Sequence, residues 1–436
     1  MKRRLAGLSI ATAAVLLTAG CVSNSGGGSS AGGGSVAPST LADQKTPLTF
    51  STYAFQPATV KATKDIVSSW NAAHPKIQVS MQQVSADSVH DKLVTQFAGN
   101  SAPDIIHDEA ADIAGFSRQG YLADLGPLIP ATLKSDVPES VWGSVTYGGK
   151  ITGVPTIAQV YNLFANTDLL KKANIPLPTA TKPWTWDDLA ANAKKLTTGG
   201  TTGFAWGLKS PTAGVMSSSL AFGGNFFSGD EAKPTIKITD NEMQVPNRLK
   251  AMLDDKSMAA TSVSLPGSDT LPGFYAGKYA LVMAGNYLAT QIDTAAPKTF
   301  NWTMLPLLKG TSQNQAGDPQ TLSIAKQSKY PAQAMQFIAY FMSAENLAKI
   351  SEGDSLIPVT KSAIAIAKKD LGDKDGWAAI LGSASSLVNA PWNKADKFPD
   401  WKTNYATPAY QKFLAGRLDA AGLQKALTDG WAKESG

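Results

Sequence analysis

Between residues 48 and 106 the hydrophobic period of the chain switches repeatedly between that of a strand and that of a helix, and this rhythm limits the fold more than any other feature. Leu48, Phe50 and Thr52 alternate with Thr49, Ser51 and Tyr53, which predicts a strand. Over residues 63–73, Ile66, Val67 and Trp70 recur at helical spacing. Ile77, Val79 and Met81 alternate again, residues 87–98 carry Val89, Leu93, Val94 and Phe97 on one helical face, and Pro103-Asp104-Ile105-Ile106 reads as a short strand behind a turn. The order is β-α-β-α-β. Strands joined through crossover helices pair in parallel, and such a sheet binds ligands beyond the carboxyl ends of its strands. The segments after Thr52 and after Ile106 are the places to look for a site.

At roughly 150 residues per domain, the 436 residues of the chain suffice for two or three domains. Charged residues make up 17 %, below the roughly 25 % of an average soluble chain, so the body is expected to be globular and rich in neutral polar side chains. The formal charge of +5 falls to +2 without Lys2, Arg3 and Arg4, and only five of the 39 basic residues are arginines. A nucleic-acid-binding face needs dense basic residues with arginine forks and interleaved aromatics. The sequence has none, and no nucleic-acid partner is expected.

The amino terminus reads as an address. Lys2, Arg3 and Arg4 precede an apolar stretch over residues 5–19 that is too short for a permanent membrane span, so residues 1–20 are expected to be a signal peptide. Cys21 is the sole cysteine, which excludes a disulfide framework within the chain. Leu17-Thr18-Ala19-Gly20-Cys21 resembles the bacterial lipoprotein processing box, with Thr18 where leucine is most frequent, and implies lipidation of Cys21. Gly and Ser dominate residues 22–46, so residues 21–46 are expected to be a flexible tether. About 25 such residues reach about 25 to 30 Å, enough to hold a folded body clear of a bilayer. The expected location is extracytoplasmic, lipid-anchored to the cell membrane.

Two further helices read as scaffold. Thr185 stands as N-cap with Asp188 three residues on, an acidic capping box in which the helix dipole accounts for Asp187 and Asp188 without catalysis. Residues 328–342 place Pro331 in a first turn and Met335, Ile338 and Met342 on one face. The histidines His74, His90 and His107 form no H-E-x-x-H pair, and the chain has no G-x-S-x-G elbow, no phosphate loop and no dinucleotide fingerprint. No metal or other cofactor is expected. An exported carbohydrate-active enzyme needs only two facing carboxylates and stays open as an alternative to a non-enzymatic receptor.

Over residues 48–436 the chain resembles the extracellular solute-binding proteins, family 1, of carbohydrate ABC importers, the group of maltose-binding protein. The resemblance runs in order through Trp70, His74-Pro75, Ile77 and Val79; Asp91-Lys92-Leu93; Gly99 to Ile106, similar to a Gly-x-x-Pro-Asp-Ile signature; and Gly120-Tyr121-Leu122-Ala123-Asp124-Leu125. It continues through Val154-Pro155, Asn166-Thr167-Asp168-Leu169-Leu170, Trp184-Thr185-Trp186-Asp187 and Phe274-Tyr275-Ala276-Gly277-Lys278-Tyr279-Ala280. It implies an α/β, two-lobe fold of the periplasmic-binding-protein type II, with a ligand cleft and hinge between the lobes. The expected division gives residues 47–156 and 320–353 to lobe 1 and residues 157–319 and 354–436 to lobe 2, with crossings near 155–161, 307–322 and 352–358. The implied partners are a small carbohydrate and the transmembrane subunits of an ABC permease, and the receptor is expected to be a monomer.

Tryptophan and tyrosine offer flat apolar faces with a polar edge that suit a sugar ring, and the scarcity of arginine speaks against a phosphate or dicarboxylate. A neutral mono- or oligosaccharide is the expected solute; a non-sugar such as a glycerol phosphate, a polyamine or iron is the alternative. Strand-end geometry nominates Tyr53 and Gln56 after the first strand, and Asp108 from His107-Asp108-Glu109 after Ile106. The resemblance adds Gln159 in the first crossing, Asn225 after Gly223-Gly224, Asn286 and Tyr287 after Gly285 with Tyr287 as stacking ring, Asp318 at the return crossing, and Trp392 as a second aromatic platform.

Overall fold

A computed structural model describes residues 45–54, 56–85, 88–230 and 233–436, apart from the side chains of Asp230 and Asp354. Cys21, the signal segment and nearly all of the tether lie outside the described residues. The opening rhythm becomes β1 (Thr46–Thr52), α1 (Pro57–Ala73), β2 (Ile77–Gln83), α2 (Val89–Ala98), β3 (Ile105–Glu109) and α3 (Ala110–Arg118). β1 starts at Thr46, ahead of the expected Leu48, because Thr46 and Pro47 pair with Ile77 and Gln78. Later elements that build the site are β4 (Val154–Pro155), β5 (Ile157–Ala158), β6 (Tyr161–Asn166), α4 (Trp186–Leu196), β7 (Thr202–Trp206), β8 (Tyr279–Gly285), β9 (Trp302–Met304), β10 (Gln320–Ile324), α5 (Pro331–Phe341), α6 (Ala344–Asp354) and β11 (Ile357–Pro358).

Two sheets organise the body. The first has five strands in the order β2-β1-β3-β10-β4. β2 and β3 run parallel to β1, as the crossover helices require, whereas β10 arrives antiparallel between β3 and β4. Its core sits between Phe50 on β1 and the rings of Phe337 and Phe341 on α5, at 5.7 and 6.1 Å, with Trp70 of α1 edge-on to Phe337. The second sheet has four strands in the order β9-β6-β8-β7, of which β7 and β8 are parallel. Its core gathers tryptophans from distant positions: Trp186, Trp206, Trp392, Trp401 and Trp431 are all buried there. Phe227 meets Trp401 and Trp431 edge-on at 5.4 and 4.7 Å, so the C-terminal segment is a wall of this core.

Both scaffold helices form as predicted. Thr185 and Asp188 make the reciprocal capping box at the start of α4, and Asp187 pairs with Arg248. Pro331 opens α5. Among the described residues no helix is long and apolar enough to cross a membrane.

The chain crosses from β4 to β6 over residues 156–160 and returns from β9 to β10 over residues 305–319, and two residues tie the first crossing to its neighbours. Thr156, between β4 and β5, donates its N–H to Gln320 O at 2.8 Å and accepts from Val359 N at 3.0 Å. Asn286 accepts from Val160 N at 3.0 Å and donates to Ser355 O at 2.7 Å. β5 pairs antiparallel with β11 at the same place.

Candidate ligand-binding site

Strand ends from both sheets meet beside these crossings. β3 runs three residues further than the sequence suggested, through His107, Asp108 and Glu109, because each is paired with β10: Leu322, Thr321 and Gln320 face them in register. Asp108 and Glu109 are therefore held by a strand rather than carried on a loop. α3 follows without a break and brings Asp112 to the same end. The return segment adds Asp318, whose Oδ1 accepts from the Ala111 N–H at 3.1 Å. From the second sheet come Tyr161 at the start of β6, Trp206 at the end of β7 and Tyr287 just past β8. Gly285 pairs with Tyr161 across the β6–β8 ladder, which puts Tyr161 and Tyr287 on the same edge.

Each side chain is positioned by its neighbours. His107 joins Thr52 Oγ1 at 2.8 Å and Gln320 Oε1 at 2.9 Å, and burial pushes it down to about 4 against the opposing pull of the Gln320 bond. It is a neutral support whose ring stacks under Tyr53 at 4.7 Å. The Tyr161 backbone is clamped by the Gln315 amide, which accepts from its N–H at 2.8 Å and donates to its carbonyl at 2.6 Å. The Tyr287 ring lies over Gly285, where a Cβ would meet the ring at 2.3 Å, so only glycine permits that placement. Tyr161, Trp206, Met283 and Tyr287 line a cavity of about 220 Å³. A second cavity of about 410 Å³ lies between α3, with Asp112 and Arg118, and residues 395–400, within the size range of small-molecule sites.

The electrostatics are acidic. Burial, and after it the charge of Asp112, pushes Asp108 up to about 8; the same two causes push Asp318 up to about 7. Glu109 is held well above its ordinary value by burial and then by Asp318, Asp112 and Asp108. Asp112 is raised by burial against the opposing charges of Lys402 and His90. The tyrosines feel the same field. Burial and then Glu109 lead the upward shift of Tyr53, and Glu109 also adds to the raised values of Tyr161 and Tyr287. Two groups in this cluster have no hydrogen-bond partner among the described residues: Asp108 Oδ2, on a residue 1 % exposed, and Tyr53 OH, on a residue 6 % exposed.

Of the residues nominated from sequence, Tyr53, Asp108, Asp318 and Tyr287 are gathered here. Gln56 is buried at the N-cap of α1, and its side chain makes no capping bond. Gln159 is half-buried between β5 and β6, outside the lining of either cavity. Trp392 and Asn286 are corrected, and Asn225 stands apart from the gathered residues. Trp392 is 3 % exposed and packs against Phe226 and Phe398 inside the second core, so it offers no platform. Asn286 is fully buried, with its amide committed to Val160 and Ser355. Asn225 is exposed at the turn before Phe227, outside both cavities. Glu109, Asp112, Tyr161 and Trp206 were not nominated. Asp112 stands in the first turn of α3, directly after the strand end that carries Asp108, and Trp206 closes a strand, so strand-end logic applied to the second sheet finds the latter.

Comparison with known proteins gives the same frame. The chain is 36 % identical over 394 residues, 89 % of its length and 87 % of the relative's, to an uncharacterized lipoprotein from the oleD 5' region of Streptomyces antibioticus. It is 27 % identical to the arabinooligosaccharide-binding protein of Bacillus subtilis over 64 % of this chain and 66 % of that one. The structure of the sugar-binding protein MalE from Xanthomonas citri superposes with a TM-score of 0.78 at 17 % identity, covering 89 % of this chain and 98 % of the other, which shows the two-lobe α/β fold. Residues 51–348 match the bacterial extracellular solute-binding proteins, and the chain belongs to that family.

Proposed function

We propose that this protein is an anchored extracytoplasmic receptor of an ABC importer, which closes on a mono- or oligosaccharide and delivers it, chemically unaltered, to the permease. The observation that carries the reading is the pairing of an aromatic wall, Tyr161, Trp206 and Tyr287, with the acceptor oxygens of Asp108, Glu109 and Asp318. A sugar ring presents an apolar C–H face to such rings and hydroxyls to such oxygens. Relatives named for arabinooligosaccharide and sugar binding support the same solute class.

The proposed lobes are residues 47–156 with 320–353 and residues 157–319 with 354–436. A ligand bridging both lobes binds the closed state better, and that difference sets the population. Moving from 1 % to 99 % closed takes about 5.5 kcal/mol of preferential binding. Stacked rings and cleft hydrogen bonds supply energies of that order. The lipidated Cys21 and the tether of residues 21–46 hold the receptor at the membrane in this reading.

The test is a melting-temperature screen of the full chain in detergent against mono- and oligosaccharides, polyamines, metals and phosphates, followed by recovery of the bound compound. A saccharide is expected to raise Tm and to be recovered intact. Tyr287→Ala should weaken the shift about tenfold in ligand concentration, the loss of about 1.4 kcal/mol of stacking, while the unliganded protein still melts cooperatively. A shift given only by a non-sugar, or recovery of a cleaved glycan, would replace this reading with the other solute class or with an enzyme.

A further inference from the structure

The acidic cluster is more than a saccharide rim requires. Four carboxylates, Asp108, Glu109, Asp112 and Asp318, converge at the end of β3, where Asp112 acts electrostatically on the other three and Asp318 on Asp108 and Glu109. Among the described residues no lysine or arginine forms a salt bridge with any of them. Lys402 and His90 reach the cluster only at longer range: Lys402 Nζ sits over the Phe398 ring at 5.9 Å, and the His90 ring stacks on Phe116. Arg118, on α3 one or more turns further along, is engaged by Asp396 and by the Lys394 carbonyl at 2.6 Å. The cluster therefore lacks a resident counter-charge at contact distance.

Two unpartnered groups aim into this place. Asp108 is 1 % exposed, and its Oδ1 accepts from the Glu109 N–H at 2.9 Å while Oδ2 accepts from nothing. The Tyr53 hydroxyl, on a residue 6 % exposed, is equally without a bond. A buried carboxylate oxygen left unsatisfied is costly, and a ligand bearing N–H donors and positive charge removes that cost better than a hydroxyl does. The rings that would carry a sugar's apolar face are close by: Gln315, on the return segment that carries Asp318, clamps the Tyr161 backbone, and Gly285, just before Tyr287, pairs with Tyr161.

Resting on the saccharide-receptor reading, we propose that the solute carries a protonated amine, as an amino sugar or amino-substituted saccharide, with its ring against Tyr161 and Tyr287 and its ammonium among Asp108, Glu109 and Asp318. The ammonium then completes the shell of Asp108 Oδ2 and supplies the counter-charge. The groups that face it are the four carboxylates, the Tyr53 hydroxyl and, at longer range, Lys402 and His90. Asp108, pushed up to about 8 in the empty site, and Asp318, pushed up to about 7, give up their protons when the ammonium binds, so binding weakens as the pH falls.

The test is calorimetric titration of the full chain with glucosamine dimers to tetramers, each paired with its N-acetylated counterpart, and with spermidine. The free-amine member is expected to bind about tenfold or more tightly than its N-acetylated partner at pH 7, with the preference shrinking at pH 5. Asp108→Asn should weaken binding of the free-amine member about tenfold more than binding of its N-acetylated partner, a comparison made only if the variant keeps a cooperative melt; the wild-type pairs decide the question otherwise. Equal or tighter binding of the N-acetylated members overturns the amine inference and leaves the saccharide reading intact. Binding of spermidine alone upholds a cationic solute and overturns the saccharide reading; binding of none of the probes overturns the amine inference, and the melting-temperature screen then decides the saccharide reading.

Discussion

At the scale of single residues, the site depends on where one ring and one carboxylate are held. Gly285→Ala puts a methyl into the space of the Tyr287 ring, 2.3 Å from its nearest carbon, and an overpacking strain of about 1–3 kcal/mol is relieved by moving the ring off the cavity wall. Solute affinity should fall about tenfold in a titration, with Tm lowered by only a few degrees. The carboxylates give a pH signature. Asp108 at about 8 and Asp318 at about 7 sit above the ordinary 3.8, so the native state holds more protons than the unfolded chain between those values, and stability falls as pH rises. His107, pushed from 6.5 to about 4, has the opposite slope below 6.5 and none above it. Between pH 6.5 and 8 the Tm of the unliganded protein should therefore decline, and Asp108→Asn or Asp318→Asn should flatten the decline. Tyr53, Asp108, Asp318 and Tyr287 were legible in the sequence because strand ends and short motifs mark them. Charge convergence was not legible, since Asp318 reaches Asp108 only through the antiparallel arrival of β10.

At the scale of elements, the opening β-α-β-α-β unit was readable because its period is local, whereas the length of β3 was not, because its last three residues are extended by pairing with a strand two hundred or so positions away. The same holds for Trp392 and Asn286. A tryptophan packs equally well in a core or a cleft, and an asparagine gives no sign that its amide closes two backbone groups on separate crossings. Asn286→Ala leaves Val160 N–H and Ser355 C=O buried without their partner, at a cost of about 2–4 kcal/mol. The expected result is a Tm lower by a few degrees, and an unfolding transition that broadens because the crossings no longer hold the two sheets in register. Differential scanning calorimetry reads both.

At the scale of the whole molecule, the two-sheet architecture was legible through the family resemblance, while the contacts that bias closure were not. Arg118 of α3 reaches the Lys394 carbonyl and Asp396, which belong to the segment packed into the second core. Arg118→Ala removes a charge-assisted bond of about 1.5–3 kcal/mol between α3 and that segment, and in the proposed hinge receptor this should shift the population toward an open arrangement. Small-angle scattering of the unliganded variant should give a larger radius of gyration than the parent protein, saturating solute should restore the parent value, and the apparent Kd should rise about tenfold as the competent fraction drops. The insertion of β10 between β3 and β4 has a further consequence, for biogenesis. Four strands of that sheet are synthesised by residue 155, but the one that joins β3 to β4 is completed only at residue 324. At 5–20 residues per second the gap is roughly 8 to 35 s, during which the emerging polypeptide has no finished sheet to collapse onto and stays threadable through an export pore.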